Sequence, residues 1–253
     1  MFTKLFVKEL SMREELPKDS YLNHVPAVRN LQKQGKLQLT KAVTFLVGEN
    51  GIGKSTLIEA IAVNLGFNPE GGTVNFNFST SDTHSELYRY LRVGRGIGHR
   101  KDGFFLRAES FYNVASNIDE MDRQPGMGGR IIDSYGGISL HKQSHGESFM
   151  SLIANRFGGN GLYILDEPEA ALSPSRILEL MCYMHELEKK NSQFIISTHS
   201  PILMAYPGAE VYNLTEDGIR SVSYRDTEHY QISTRFLNSP ETMFRYLFDD
   251  FSR

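Results

Sequence analysis

The chain has a single cysteine, Cys182, so no intrachain disulfide can form. It lies in an apolar-rich stretch, residues 177 to 187, where a buried structural thiol is expected. No run of about 18 or more apolar residues occurs, so no membrane-spanning helix is expected. The first seven residues, Met1 to Val7, lack the apolar centre of a signal peptide, which makes the cytoplasm the expected compartment. No charge sign dominates, since the formal net charge is −3. The densest basic run carries Arg89, Arg92, Arg95, Arg100 and Lys101. A solvated loop or helix face is the plain expectation for it, and a contact with phosphate or nucleic acid is the alternative. Repeats and low-complexity tracts are absent. Lys54 and Asp166 are 166 − 54 = 112 residues apart with no heptad tract between them, which excludes a long coiled-coil arm.

What is present suits one large domain. The chain has 253 residues, 40% of them hydrophobic, enough for a sizeable core. Residues 2 to 10 read as a short strand, and residues 14 to 36, with Pro17 and Pro26, as a polar loop. Residues 43 to 47 (VTFLV) are continuously apolar and β-branched and stop at a glycine, as a buried parallel strand does. Residues 55 to 65 have helical apolar spacing. Residues 68 to 100 read mostly as loops, 104 to 108 as a strand, and the glycine-rich 124 to 137 as a mobile loop. A helix over 149 to 156, a buried strand over 161 to 165, a helix over 174 to 190 and a third buried strand over 193 to 197 follow. Residues 210 to 214 read as a strand and 241 to 251 as a helix. Strands alternating with helices imply an α/β fold with a mostly parallel central sheet.

Residues Gly48, Glu49, Asn50, Gly51, Ile52, Gly53, Lys54 and Ser55 fit G-x-x-x-x-G-K-[ST], with a strand before and a helix after. The glycines let successive backbone N–H groups turn inward onto phosphate oxygens. The helix that begins near Lys54 and runs through Thr56 adds its positive end. Lys54 is placed to reach the β- and γ-phosphates, and the Ser55 hydroxyl to ligate Mg²⁺. A second motif, Leu162 to Glu167, is an apolar strand ending in two acids, whose carboxylates would face the mouth of a parallel sheet. An acidic loop after a strand is common. With a phosphate loop upstream, Asp166 is read as a metal ligand and Glu167 as the general base for water.

The order of these motifs carries a resemblance. Asp166 to Pro174 (DEPEAALSP) resembles the Walker B and D-loop region of ABC-type ATPases, and Ile195 to Pro201 (IISTHSP) their switch-histidine segment. Gln143 to Ser148 (QSHGES) looks like a divergent form of their LSGGQ signature. Ser144 precedes Asp166 by 166 − 144 = 22 residues, and His199 follows it by 199 − 166 = 33, gaps of the family's size. Within the superfamily the chain is similar to small stand-alone bacterial ATPases grouped with AAA-domain families that include abortive-infection and SMC-like ATPases. Residues 105 to 110 (FLRAES) and 226 to 230 (DTEHY) look like features of that group.

The resemblance implies one P-loop NTPase domain over residues 1 to 253, with a small antiparallel β portion and an inserted helical lobe at about 68 to 148. It implies ATP and Mg²⁺ as cofactors and ATP-driven head-to-tail homodimerisation. Ser144, Gly146 and Glu147 of one copy would then cover the γ-phosphate held by the other, while His199 contacts that phosphate and the attacking water. A protein or nucleic-acid partner, in DNA maintenance or phage defence, is the expected effector. The sequence departs from the family where Gln143 and His145 replace the signature's leucine and first glycine. No Q-loop glutamine is evident, and Glu109 is the candidate substitute as a metal ligand. A membrane-transporter nucleotide-binding subunit and a P-loop small-molecule kinase are the competing readings. Asp226, Glu228 and His229 read as a polar loop, with a metal or catalytic cluster as the alternative. Phe236, Leu237, Phe244, Leu247 and Phe248 are expected to dock on the body of the protein or to form a partner surface.

Overall fold

A computed structural model describes residues 5–74, 84–123 and 130–248. In chain order the elements are β1 (Val7–Met12), α1 (Pro26–Gln34), β2 (Lys36–Gln38), β3 (Val43–Val47), α2 (Lys54–Asn64), α3 (Leu87–Tyr90), β4 (Leu91–Arg95), β5 (Asp102–Arg107), α4 (Phe111–Arg123), α5 (His145–Arg156), β6 (Gly161–Asp166), α6 (Pro174–Lys189), β7 (Gln193–Ser197), α7 (Pro201–Met204), β8 (Glu210–Leu214), β9 (Ile219–Val222), α8 (Glu228–Asn238) and α9 (Pro240–Leu247). The central sheet has the order β5-β6-β7-β3-β8-β9, parallel throughout except for the antiparallel β9. A separate antiparallel sheet has the order β2-β1-β4. This is the expected α/β architecture with a mostly parallel sheet and a small antiparallel portion.

Both faces of the central sheet are covered, which is why its strands are apolar without alternation. Val43, Phe45 and Val47 face a core built with α4, α5 and α6. Leu46, Ile164 and Ile195 face the opposite core, shared with α1, α2 and the antiparallel sheet. α2 is buried over most of its circumference, with Leu57, Ile58, Ala60, Ile61 and Ala62 all inside. Tyr163 stacks on Phe157 with centroids 4.1 Å apart and donates its hydroxyl to Asp102 at 2.8 Å.

The two sheets are tied by one buried amide. The Gln193 side chain, fully inside at the start of β7, accepts from the backbone N–H of Phe6 at 2.8 Å and of Val7 at 2.9 Å. Its own Nε2 donates to the carbonyl of Val7 at 2.8 Å. Gln193 thus bonds three backbone groups at the start of β1, one of Phe6 and two of Val7.

Several expectations are corrected. The polar segment 14 to 36 contains α1, where Ala27, Val28 and Leu31 are buried and Pro26 stands at the first turn, a starter and not a breaker. The stretch 68 to 100 contains α3 and β4; the latter is polar because it pairs with β1 alone. β4 and β5, which lie within residues 68 to 148, belong to the two sheets. Cys182 is exposed, not buried, because Ile177, Leu180, Met184 and Leu187 form the inner stripe of α6. β9 and α8 were not anticipated. Residues 226 to 230 are the entry to α8, not a free loop. Leu237 and Leu247 of the C-terminal apolar set do not dock on the body, being 78% and 62% exposed. Phe236 and Phe244 pack on each other instead, 5.7 Å apart. The basic run is dispersed: Arg89 pairs with Glu86, while Arg100 lies over the Phe67 ring at 4.5 Å and donates to Leu65 O at 2.6 Å. Residues 124 to 129 of the expected mobile loop, residues 2 to 4 of the expected first strand and 249 to 251 of the expected last helix fall outside the described residues.

Gln193→Ala strands two buried N–H donors and is expected to lower the unfolding free energy in urea by about 2–4 kcal/mol. A loss below about 0.5 kcal/mol would contradict a structural clamp.

Candidate functional site

Parallel strands deliver their carboxyl ends to one edge of the sheet, and the register aligns what stands there. Arg107 on β5 is level with Asp166 on β6, Asp166 with Ser197 on β7, and Ser197 with Leu46 on β3. Residues level with one another point to one face. That face receives α2, which brings Ser55 and Glu59. The phosphate loop leaves β3 immediately beyond this row.

The loop's glycines have steric reasons. A Cβ at Gly48 would collide with the carbonyl oxygen of Leu214 at the end of β8. Gly53, at φ +101, caps α2 in a conformation disfavoured for other residues, and a Cβ there would strike Val25. Glu49 and Asn50 at the tip are exposed, Gly51 meets nothing nearby, and Ile52 is buried, its carbonyl accepting from Ala27 N at 2.9 Å. Lys54 is 4% exposed and folds back so that Nζ donates to the carbonyls of Gly48 and Glu49, each at 3.0 Å. Burial pulls the Lys54 pKa down, and the carboxylates of Glu167, Asp166 and Glu169 oppose that pull. Thr56 lies one residue further along α2, half-buried.

Asp166 is 5% exposed at the mouth of the sheet. Its Oδ1 accepts from Ser55 Oγ at 3.2 Å and from Ser197 Oγ, and its Oδ2 lies 3.5 Å from Arg107 Nε. Burial raises its pKa, against the hydrogen bond from Ser197 and the charge of Arg107. Arg107, 18% exposed, also pairs with the buried Glu59 at 2.7 Å. One guanidinium therefore compensates two buried carboxylates.

Glu167 follows in the left-handed region, φ 48 and ψ 54, unusual for a residue with a side chain. Its N–H donates to Ser197 O at 3.2 Å and Ser197 Oγ at 3.1 Å, which holds the turn. Its Oε1 stands 3.3 Å from His199 Nε2. Burial, aided by Lys54 and His229, drops the His199 pKa to about 4, so this ring is neutral at physiological pH. His199 Nδ1 is 2.8 Å from His229 Nε2. Glu169 accepts from the His199 N–H, while its other carboxylate oxygen is buried without a partner. Burial raises the Glu169 pKa.

The structure therefore brings together Lys54, Ser55, Asp166, Glu167 and His199. Glu109 is not among them: its side chain is 88% exposed and lies 3.8 Å from Arg107. Ser144 caps α5 and forms a reciprocal capping box with Glu147, Oγ to Oε2 at 2.7 Å and N to Oε2 at 3.1 Å. That pairing holds the Glu147 carboxyl below its usual range. Ser144 and Glu147 are exposed, and a Cβ on Gly146 would sit 3.2 Å from the Ala171 carbonyl. Among the described residues, none of the three bonds the phosphate loop of its own chain. Sequence reasoning missed Arg107, Glu169 and His229 as members of the site. Arg107 was legible only as part of FLRAES, and Glu169 only as part of the D-loop. Asp226, Glu228 and His229 form no metal cluster, and among the described residues no three His, Cys, Asp or Glu side chains could hold a metal.

Two AAA-domain family models match the chain. One, described as "AAA domain, putative AbiEii toxin, Type IV TA system", covers residues 91–205, and the other, "AAA domain", covers residues 24–118. Together they span the phosphate loop, the signature-like segment, Asp166, Glu167 and His199. These matches, with the relatives below, support an ABC-type ATPase of the AAA-related superfamily. Curated relatives of the chain include the guanosine import ATP-binding protein NupO of Bacillus subtilis, 26% identical over 78% of this chain and 41% of the relative. An uncharacterized ABC transporter ATP-binding protein of Haemophilus influenzae is 26% identical over 69% of this chain and 70% of the relative. The chain spans less than half the length of the first three curated relatives it matches. Among solved structures, cbiO1 of Clostridium perfringens, part of the ABC transporter complex cbiONQ, shares the fold with a TM-score of 0.51 at 16% identity, covering 94% of this chain and 97% of that one. No described helix of the chain is long and apolar enough to cross a membrane.

Removing Arg107 leaves Glu59 and Asp166 buried without a counter-charge. Arg107→Ala is expected to cost about 3–5 kcal/mol of unfolding free energy, and Arg107→Lys less. Urea unfolding that shows Arg107→Ala within about 1 kcal/mol of the parent would contradict this role.

Proposed function

We propose that this chain binds Mg-ATP at the phosphate loop and hydrolyses it in a head-to-tail dimer. The observation that carries the reading is the meeting of Glu167 and His199, 3.3 Å apart, beside the Ser55–Asp166 contact at 3.2 Å. A carboxylate, a neutral imidazole, a loop of inward N–H groups and a lysine converge on one edge of the sheet.

The donor set suits a hard divalent cation. Ser55 Oγ and Asp166 Oδ1 are oxygen ligands at the phosphate end of α2, and Arg107 occupies the other Asp166 oxygen without covering Oδ1. Ser55 and Asp166 would hold Mg²⁺, which, when bound, offsets phosphate charge. Lys54 gives up its two loop carbonyls and turns to the β- and γ-phosphate oxygens. Glu167 takes the proton of a water as that oxygen bonds to the γ-phosphorus and the bond to ADP breaks. His199, neutral, donates a hydrogen bond to the γ-phosphate and orients the water. Ser144, Gly146 and Glu147 of a second copy cover the phosphate from the other side, which accounts for their exposed, preformed helix start.

The transporter relatives favour a second reading, a nucleotide-binding subunit of a membrane transporter. That role uses the same chemistry and differs in its partner. Stable association of the purified chain with membrane-embedded permease subunits, and no dimer of the free chain, would select it.

Glu167→Gln keeps the binding groups and removes the base. It is expected to retain ATP, lose hydrolysis by about 100-fold or more, and elute as a dimer with Mg-ATP. A variant that stays monomeric at saturating Mg-ATP contradicts the dimer mechanism.

A further inference from the structure

Helix α8 carries into the site a residue, His229, that lies outside the phosphate loop, the signature-like segment, the Walker B strand and the switch-histidine segment. Its first turn is anchored, whereas the rest of it is not. Thr227, fully buried, caps it: its hydroxyl accepts from Tyr230 N at 3.4 Å, donates to Tyr224 O at 2.6 Å and touches Met204 Sδ of α7 at 3.7 Å. α7 begins two residues after His199, so this anchor sets His229 beside it. The rings are tilted by 56° with centroids 4.9 Å apart, and His199 Nδ1 lies 2.8 Å from His229 Nε2.

We propose that His229 is a positioning residue that fixes the tautomer and orientation of His199 for phosphate contact. The proposal rests on the hydrolytic reading above. The hydrogen-bond inventory assigns the protons. His199 Nε2 is buried and makes no hydrogen bond among the described residues, and the Glu167 carboxylate stands 3.3 Å from it, so that nitrogen carries the hydrogen. A neutral imidazole has one N–H, so His199 Nδ1 is bare and must accept. His229 Nε2 therefore donates. The reverse arrangement would set the lone pair of His199 Nε2 against a carboxylate. Both rings are pushed toward the neutral form by burial and by Lys54, and His229 stands at the positive end of α8, which opposes a second charge there. With His229 donating to Nδ1, the N–H at His199 Nε2, unpartnered among the described residues, is left to face the place where the water and γ-phosphate meet. Without His229, the ring is free to flip or to take the other tautomer.

The test compares His229→Phe, which keeps an aromatic ring and removes the donor, with His229→Asn, whose amide can donate. In nucleotide-free protein with ¹⁵N-labelled histidine at neutral pH, His199 is expected to carry its hydrogen on Nε2. His229→Phe should convert this to a tautomer mixture, lower kcat by about tenfold or more and leave KM for ATP within about twofold. His229→Asn should restore both the tautomer and most of kcat. An unchanged His199 tautomer in His229→Phe overturns the proposal. So does an Asn variant as impaired as the Phe variant in both readouts. If the parent protein fails to hydrolyse ATP, the hydrolytic reading falls alone, and the tautomer measurement still decides the role of His229.

Discussion

A carboxylate buried at the mouth of a parallel sheet is expensive unless its surroundings answer it. Asp166, 5% exposed, is answered by two hydroxyls and a guanidinium: Ser55 from α2, Ser197 from β7 and Arg107 from β5. Each comes from a different element, so forming this cluster requires β5, β6, β7 and α2 to be in register. The same arrangement sets the geometry of Lys54, Glu167 and His199. Ser55 fixes the start of α2 and with it Lys54, and Ser197 holds both Asp166 and the backbone of Glu167. The left-handed conformation of Glu167 is held by those hydrogen bonds and turns its side chain toward His199.

The cluster also explains the density of acids around Lys54. Glu167, Asp166 and Glu169 all act on its ammonium group, and their mutual repulsion is tolerable only beside cations. Lys54 now donates to the carbonyls of Gly48 and Glu49. A triphosphate would draw the ammonium away from them and leave the carboxylates to the cation and the water. The unpartnered oxygen of Glu169 sits in the same charged neighbourhood.

Local patterns in the sequence marked the parts of the site that are contiguous. The phosphate loop, the strand ending in Asp166 and Glu167, and His199 after a buried strand were all legible, because strand, turn and helix signals there agree. The central strands were legible for the same reason, being apolar on both faces. What depended on distant pairing was hidden. Arg107 reads as one more basic residue until β5 is set beside β6. Gln193 reads as a polar residue opening an apolar strand, and its work is done on β1, 186 residues away. α1 was masked by its polar residues and its proline. α8 was masked because almost nothing in it is buried, so its sequence has no inward stripe to betray it. Glu109 looked like a ligand from its position after β5, but the chain turns there, and its side chain points to solvent.

The central claim is that the groups around Asp166 and Lys54 form one nucleotide site whose affinity depends on both. Calorimetric titration of the purified chain with ATP, with and without Mg²⁺, tests it most directly. One ATP per chain is expected, bound more tightly with Mg²⁺. Asp166→Asn should abolish the Mg²⁺ dependence, and Lys54→Ala should weaken binding in either condition. Equal affinity for ATP in the parent and in Lys54→Ala, or no saturable binding at all, would contradict the account.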